Sequence, residues 1–364
     1  MFVVIRVDAS IQIGTGHVMR CLTLADQLTE VGYFCVFLCR EHEGNLGEHI
    51  ATRGYKVLWL TGLSGKRSVD GNWNAHAAWL GESWEADAEQ TVSALTGYDV
   101  DWLIVDHYAL DSRWERRLSN SVDRIMVIDD LADRPHCCDL LLDQTYLRTS
   151  DEYNDLVGVG CKLLCGSQYT LLRPEFTRWR SQSLAKRAQA SVGSILINMG
   201  GVDKENVTEK VLGAMEGSQL PDSTELTVVM GGHSPSLASV RHAATLNRFR
   251  VAVQTDVDNM AELMTSCELA IGAAGATSWE RCCLGLPTIL IVIADNQTGV
   301  ANVLRDNGAA YAVNSVKNID HELPEILDSL VNDIDALMSV SKSASKVVDG
   351  KGARRVVLEL MRSA

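Results

Sequence analysis

The chain has 364 residues, more than the about 250–300 over which one hydrophobic core keeps growing, so two domains are expected. A composition of 46% hydrophobic and 22% charged residues marks a globular protein rather than a disordered or fibrous one, and no apolar run approaches the ~20 residues of a membrane span. The net charge of −14 argues against nucleic acid and anionic membranes as partners, while leaving room for a local basic pocket that takes one diphosphate.

Short β-branched runs alternate with segments of helical period, the pattern of βαβ units and parallel sheets. The first run is Phe2–Val7, where Arg6 breaks the uncharged stretch that a secretory signal needs, so a cytoplasmic location is expected. Asp8-Ala9-Ser10-Ile11-Gln12-Ile13-Gly14-Thr15-Gly16-His17-Val18-Met19-Arg20 then leads into a helix. Ligands of open parallel sheets bind beyond the carboxyl ends of the strands, where this loop falls. Gly14 and Gly16 let the backbone approach a ligand, but Met19 stands where a dinucleotide fingerprint has its third glycine. Val18, Cys21, Leu22, Ala25 and Leu28 give the helix an apolar stripe. His17 sits at the helix start, where a partial positive charge disfavours imidazolium. A neutral ring there serves either as a general base or as a cap of the turn. Asp8 is placed to orient His17, to accept a sugar hydroxyl, or to take backbone N–H groups of the turn.

Strands Phe34–Cys39, Lys56–Leu60, Trp102–Val105, Ile125–Ile128 and Leu140–Leu142 are expected to complete the first sheet. Ser64–Glu89, with Trp73, Trp79 and Trp84, reads as a surface helix with packed aromatics, the alternative being an insertion that lines a cleft. Asp99-Val100-Asp101 precedes its strand and so falls at the end of the sheet away from ligands, whereas Asp106-His107-Tyr108 falls at the ligand end. Tyr169–Gln189 reads as a connecting helix or hinge. Its Arg173 is suited to neutralising a diphosphate with a bidentate geometry that lysine lacks, or to an ordinary surface salt bridge.

In the second half, Ser194–Asn198, Thr227–Met230, Arg250–Val253, Leu269–Ala273 and Thr288–Ile293 are the expected strands. Gly200-Gly201 lies between the first of them and a helical segment starting near Asn206. It offers backbone N–H donors to a diphosphate or makes a tight turn, and Gly231-Gly232 repeats the feature. In Gly272–Glu280 the small residues around Gly275 admit a ligand, Thr277 or Ser278 is suited to capping, and Glu280 falls in the first helical turn. Asn296 and Gln297 open the next helix, as a cap or as contacts to phosphates or sugar. Asp256-Val257-Asp258 has no further carboxylate beside it, and the ten cysteines form no CxxC pair with a matching pair or histidine. Free thiols, no metal and no cofactor are expected. Gly352–Ser363 is helix-patterned and free to pack on either half.

Asp8–Arg20, continuing Cys21-Leu22-Thr23-Leu24-Ala25, resembles the opening of the PseG family. So do Gly166–Phe176, Asn198–Thr208 and Gly275–Gln297 in their places, although the family pattern has Ser at position 198 and Asp at position 137. The resemblance implies a fold like that of the glycosyltransferase MurG: two Rossmann-like α/β domains facing across a cleft (GT-B-like). Residues 1–170 would carry His17 and the sugar side, and residues 171–364 would bind UDP. It implies a nucleotide-sugar hydrolase that releases UDP from a UDP-2,4-diacetamido-2,4,6-trideoxyhexose in pseudaminic acid biosynthesis. His17 would be the general base and Glu280 an acceptor for the ribose hydroxyls; Tyr108, from its place at the ligand end of its strand, is the expected sugar contact. A GT-B glycosyltransferase and a non-catalytic nucleotide-sugar binding protein are the alternatives.

Overall fold

The computed structural model describes residues 1–60, 75–188 and 192–363, so Trp73 and the rest of Ser64–Asn74 lie outside the described residues, as does Gln189. The chain divides into two compact units, Met1–Leu171 with Lys351–Ala364, and Leu172–Gly350.

The first unit runs β1 (Phe2–Val7), α1 (Gly16–Glu30), β2 (Phe34–Arg40), α2 (Gly47–Thr52), β3 (Lys56–Leu60), α3 (Trp84–Leu95), β4 (Trp102–Asp106), α4 (Ser112–Leu118), β5 (Arg124–Ile128), β6 (Leu140–Asp143) and β7 (Lys162–Cys165). Its seven strands are all parallel, in the order β3-β2-β1-β4-β5-β6-β7. Successive strand residues face opposite sides. Val3, Ile5 and Val7 therefore join Val18, Cys21, Leu22, Ala25 and Leu28 of α1 in one core. Val4, Leu103 and Val105 join Ala88 and Trp114 in the core on the other face. Strand order reverses between β1 and β4, and the carboxyl ends of those two strands flank the crevice where such sheets bind ligands.

The second unit begins with α5 (Pro174–Arg187), in the stretch read above as a connecting helix or hinge. Ser183 and Arg187 of α5 are buried, and Arg187 donates to the carbonyls of Met264 and Cys267. This segment is part of a folded unit, not a loose connection. There follow β8 (Ser194–Asn198), α6 (Val207–Met215), β9 (Glu225–Met230), α7 (Leu237–Leu246), β10 (Arg250–Thr255), α8 (Met260–Ser266), β11 (Leu269–Ala273), α9 (Thr277–Cys283), β12 (Thr288–Ile291), α10 (Thr298–Asp306), β13 (Tyr311–Val313), α11 (Ile319–Asn332) and α12 (Ile334–Val347). The six strands, in the order β10-β9-β8-β11-β12-β13, are again all parallel and reverse between β8 and β11.

The last helix, α13 (Gly352–Arg362), belongs to the first unit, where Ala353, Val356, Val357 and Leu360 enter the α1-side core. Gly352 makes that docking possible. A Cβ at this position would lie 2.2 Å from the carbonyl oxygen and 2.4 Å from the nitrogen of Thr170, both backbone atoms that cannot swing away. Gly352→Ala is expected to lower stability by about 1–3 kcal/mol, read as an earlier urea or thermal transition. An unchanged midpoint would show that α13 docks less tightly than this.

Candidate active site

At the carboxyl end of the first sheet, Asp106 closes β4 in register with Val7. It therefore faces the α1 side, as Val7 does. There it meets two residues of the first turns of α1. His17 Nδ1 lies 2.6 Å from Asp106 Oδ1, and Arg20 grips the same carboxylate with two prongs, Nε to Oδ2 and Nη2 to Oδ1, each at 2.7 Å. A carboxylate can only accept, so His17 Nδ1 carries the proton in this bond, and Nε2 is the ring nitrogen that Asp106 leaves unengaged. Arg20 Nη2 also lies 3.3 Å from His17 Nδ1, but there donor faces donor.

Arg20 extends the chain of charges, donating from Nη1 to Asp130 Oδ2 at 2.5 Å, and Tyr108 donates its hydroxyl to the same oxygen at 2.7 Å. The Tyr108 ring meets the His17 ring edge-on at 4.6 Å, which closes a circuit His17–Asp106–Arg20–Asp130–Tyr108. A 3₁₀ turn, Ala77–Leu80, adds an aromatic wall: Trp79 stacks on Tyr108 at 5.9 Å and packs against His76 at 4.4 Å, and its ring stands 6.4 Å from His17. Burial would raise the Asp106 carboxyl, yet Arg20 first and then His17 hold it well below the usual carboxylate range. Burial, with Asp130 next, raises the Tyr108 phenol well above its usual value, so it stays a donor.

The structure corrects the assignment of Asp8. It follows Val7 and so faces the opposite side of the sheet from His17. Arg6 Nη1 and the Arg40 backbone N–H each donate to its Oδ1 at 2.6 Å, while Oδ2 lies 3.3 Å from His107 Nε2. Being 1% exposed, Asp8 neither orients His17 nor presents itself to a sugar hydroxyl, and its backbone donor is at the end of β2 rather than in the following turn. Asp106 does the orienting. Gly14 adopts φ +82, as only glycine does readily, and donates to the Ser10 carbonyl at 2.8 Å; a Cβ on Gly14 or Gly16 would meet nothing within 4 Å.

In the second unit, the turns after β8 and β11 meet the switch point of their own sheet. Gly200 has φ +98, and the Gly201 carbonyl accepts from Gly231 N–H at 3.0 Å. The helical segment expected near Asn206 forms as α6, and its first N–H groups are met from within the chain. Asp203 caps α6, its carboxylate oxygens accepting from Val207 N–H and Thr208 N–H at 2.9 Å each, so those donors are already engaged. Gly275 and Gln297 are brought together: a Cβ at Gly275 would lie 4.0 Å from Gln297 Nε2, whose Oε1 accepts from Ile293 N–H at 3.2 Å. Asn296 is exposed inside a 3₁₀ turn, Asp295–Gln297, and no side chain caps α10. Neither Thr277 nor Ser278 caps α9, because both already lie within its first turn, and Ser278 Oγ accepts from Arg281 instead. Arg173 pairs with Glu175 at 3.0 Å and stands 3.6 Å from Glu280, a juxtaposition the sequence did not indicate. Burial pushes the Glu280 carboxyl up, with Arg173 opposing. Asn198 donates to the Val229 carbonyl at 2.9 Å. No group of three or more His, Cys, Asp or Glu able to hold a metal occurs among the described residues, and no helix among them is long and apolar enough to cross a membrane.

Comparison with known proteins follows this division into two units. Residues 195–355 match the glycosyltransferase family 28 C-terminal domain. The chain is 27% identical over 311 residues to the UDP-2,4-diacetamido-2,4,6-trideoxy-beta-L-altropyranose hydrolase of Campylobacter jejuni, covering 85% of this chain and 97% of that one. It is 30% identical over 195 residues to the spore coat polysaccharide biosynthesis protein SpsG of Bacillus subtilis, covering 52% of this chain and 56% of that protein. Among solved structures, Acinetobacter baumannii MurG superposes with a TM-score of 0.68 at 16% identity, over 99% of both chains. An S. aureus MnaA–UDP co-structure superposes with a TM-score of 0.61 at 14% identity, over 100% of this chain and 96% of that one. The chain thus resembles the PseG family over most of its length, matches the glycosyltransferase family 28 C-terminal domain over residues 195–355 and has the GT-B fold of two parallel-sheet α/β domains.

Proposed function

We propose that the chain hydrolyses a UDP-activated 2,4-diacetamido-2,4,6-trideoxyhexose, with water activated by His17. The observation that carries the reading is the His17–Asp106 pair: the carboxylate fixes the proton on Nδ1, which leaves Nε2 as the acceptor for a proton from water. The oxygen of that water attacks the anomeric carbon while the bond from that carbon to the UDP oxygen breaks. A single displacement predicts inversion. The aromatic wall of Trp79, His76 and Tyr108 supplies an apolar face for the sugar ring and its acetyl methyls. In the second unit, the turns carrying Gly200, Gly201 and Gly275, together with Asn296 and Gln297, contact the phosphates. Glu280 accepts from the ribose hydroxyls and Arg173 offsets the diphosphate charge. Similarity to the Campylobacter hydrolase along 97% of its length supports this reading over a fold-level analogy. A cytoplasmic site of action fits a soluble nucleotide-sugar substrate.

The family 28 match and the MurG-like fold favour a second reading, transfer of the sugar to an acceptor hydroxyl in place of water. Incubating the protein with the UDP-sugar and no acceptor separates the two. Stoichiometric UDP with an inverted free sugar, followed by proton NMR from the first turnovers, is the expected result; UDP release that waits for an added acceptor would overturn it.

A further inference from the structure

Protonation of His17 is under three nearby influences. The N-terminus of α1 and the Arg20 guanidinium disfavour a positive ring, whereas Asp106 favours one. Left alone with the imidazole, a buried carboxylate at 2.6 Å would hold a proton on Nε2 as well, and an imidazolium has no lone pair with which to take a proton from water. Arg20 is 9% exposed and engages both oxygens of Asp106.

We infer that Arg20 is a positioning residue that acts electrostatically. Its guanidinium locks the Asp106 carboxylate in plane for His17 Nδ1 and offsets the negative charge that this carboxylate presents to the ring. Asp130 sets how much of the Arg20 charge reaches the pair, since it shares the guanidinium from the far side. Among the described residues, the titratable groups whose rings pack against His17 or its aromatic wall, Tyr108 and His76, favour their uncharged forms. Tyr108 keeps its proton, and burial lowers His76 toward its uncharged form, with Asp133 and Arg134 beyond it acting in opposite senses. Arg20 is thus the cation that decides the balance. Sequence spacing alone places it one turn from His17, on the same helix face, where its charge reaches the ring directly.

The inference rests on His17 being the base, so its test reads the ring without turnover. The imidazole of His17 is titrated by NMR in the whole protein, its signal assigned by its loss in His17→Gln. In Arg20→Gln the midpoint is expected to rise by roughly one to three pH units, and the acid limb of kcat/KM moves up with it. In Arg20→Lys, which keeps the charge but not the fork, the midpoint stays near wild type while kcat falls. In Asp130→Asn, a milder change at a partly exposed carboxylate, the midpoint moves down. That third variant keeps the idea testable where Arg20→Gln does not fold. A midpoint unmoved in Arg20→Gln, or moved up in Asp130→Asn, overturns the inference even if hydrolysis is normal. The predicted shifts in a protein that never releases UDP would uphold it and sink the proposed reaction instead.

Discussion

His17→Ala is expected to cut kcat for the UDP-sugar by roughly 10²–10⁴-fold, with KM and UDP affinity changed little. The size follows from what is removed. General-base transfer contributes that range when the base is within reach of the proton it takes, and no other group in the circuit can substitute. Asp106 is held by Arg20 on both oxygens, and Tyr108 is a donor, not an acceptor, at neutral pH. Asp106→Asn is the sharper companion. An amide can donate to Nδ1, which flips the ring to the tautomer with its proton on Nε2, and its NH2 also meets an Arg20 donor, so the loss should approach that of His17→Ala. Steady-state kinetics on the two variants, with UDP titrations alongside, check both. Activity within a few fold of wild type in His17→Ala would remove the proposed base and leave the chain a binding protein or an enzyme working by other residues.

That companion residue shows what the sequence could and could not disclose. Asp8 and Asp106 each sit at the carboxyl end of an apolar strand, and nothing local separates them. The β1–β4 register does: Val7 lies opposite Asp106, so Asp8 is one residue out of step and turns to the other face. That His17, at the start of α1, meets Asp106, 89 residues further on at the end of β4, is a tertiary fact. The strands themselves were easier to read, because parallel strands covered on both faces are continuous apolar runs. Eleven expected strands form as read, to within a few residues at their ends, while β7 and β13, of 4 and 3 residues, escaped. Each pairs with one neighbour, and its extended form comes from that pairing more than from its own composition. In the second unit, the glycine turns were visible but the Asp203 cap was not, since the residue adopts a positive φ of 40 to bring its carboxylate under α6.

The largest stability effect is expected on the far face of the first sheet. Asp87 of α3 is fully buried and accepts from Arg6 Nη2 at 2.8 Å, Arg40 Nη2 at 2.7 Å and Trp114 Nε1 at 2.9 Å. Asp87→Ala leaves the Arg40 side chain, among the described residues, with Gln90 and strands one side of Arg6, so a loss of about 3–5 kcal/mol is expected in the unfolding of the first unit. The cost arises from the guanidinium charges left behind, which predicts non-additivity: Arg40→Met combined with Asp87→Ala should cost less than the two single changes together. The pH dependence has a definite sign. Burial would raise the Asp87 carboxyl, but the charge of Arg6, its hydrogen bonds and then Arg40 outweigh it and hold the group below its ordinary value. A depressed carboxyl stabilises the fold fully above the unfolded value near 4 and loses that contribution as pH falls through the lower folded value. The gap between wild type and Asp87→Ala should therefore be widest at neutral pH and close below about pH 4, because acid removes from the wild type what the substitution has already removed. A gap that stays constant from pH 7 to 3 would mean that the lost side chain mattered for its volume, and that the two buried arginines find other partners.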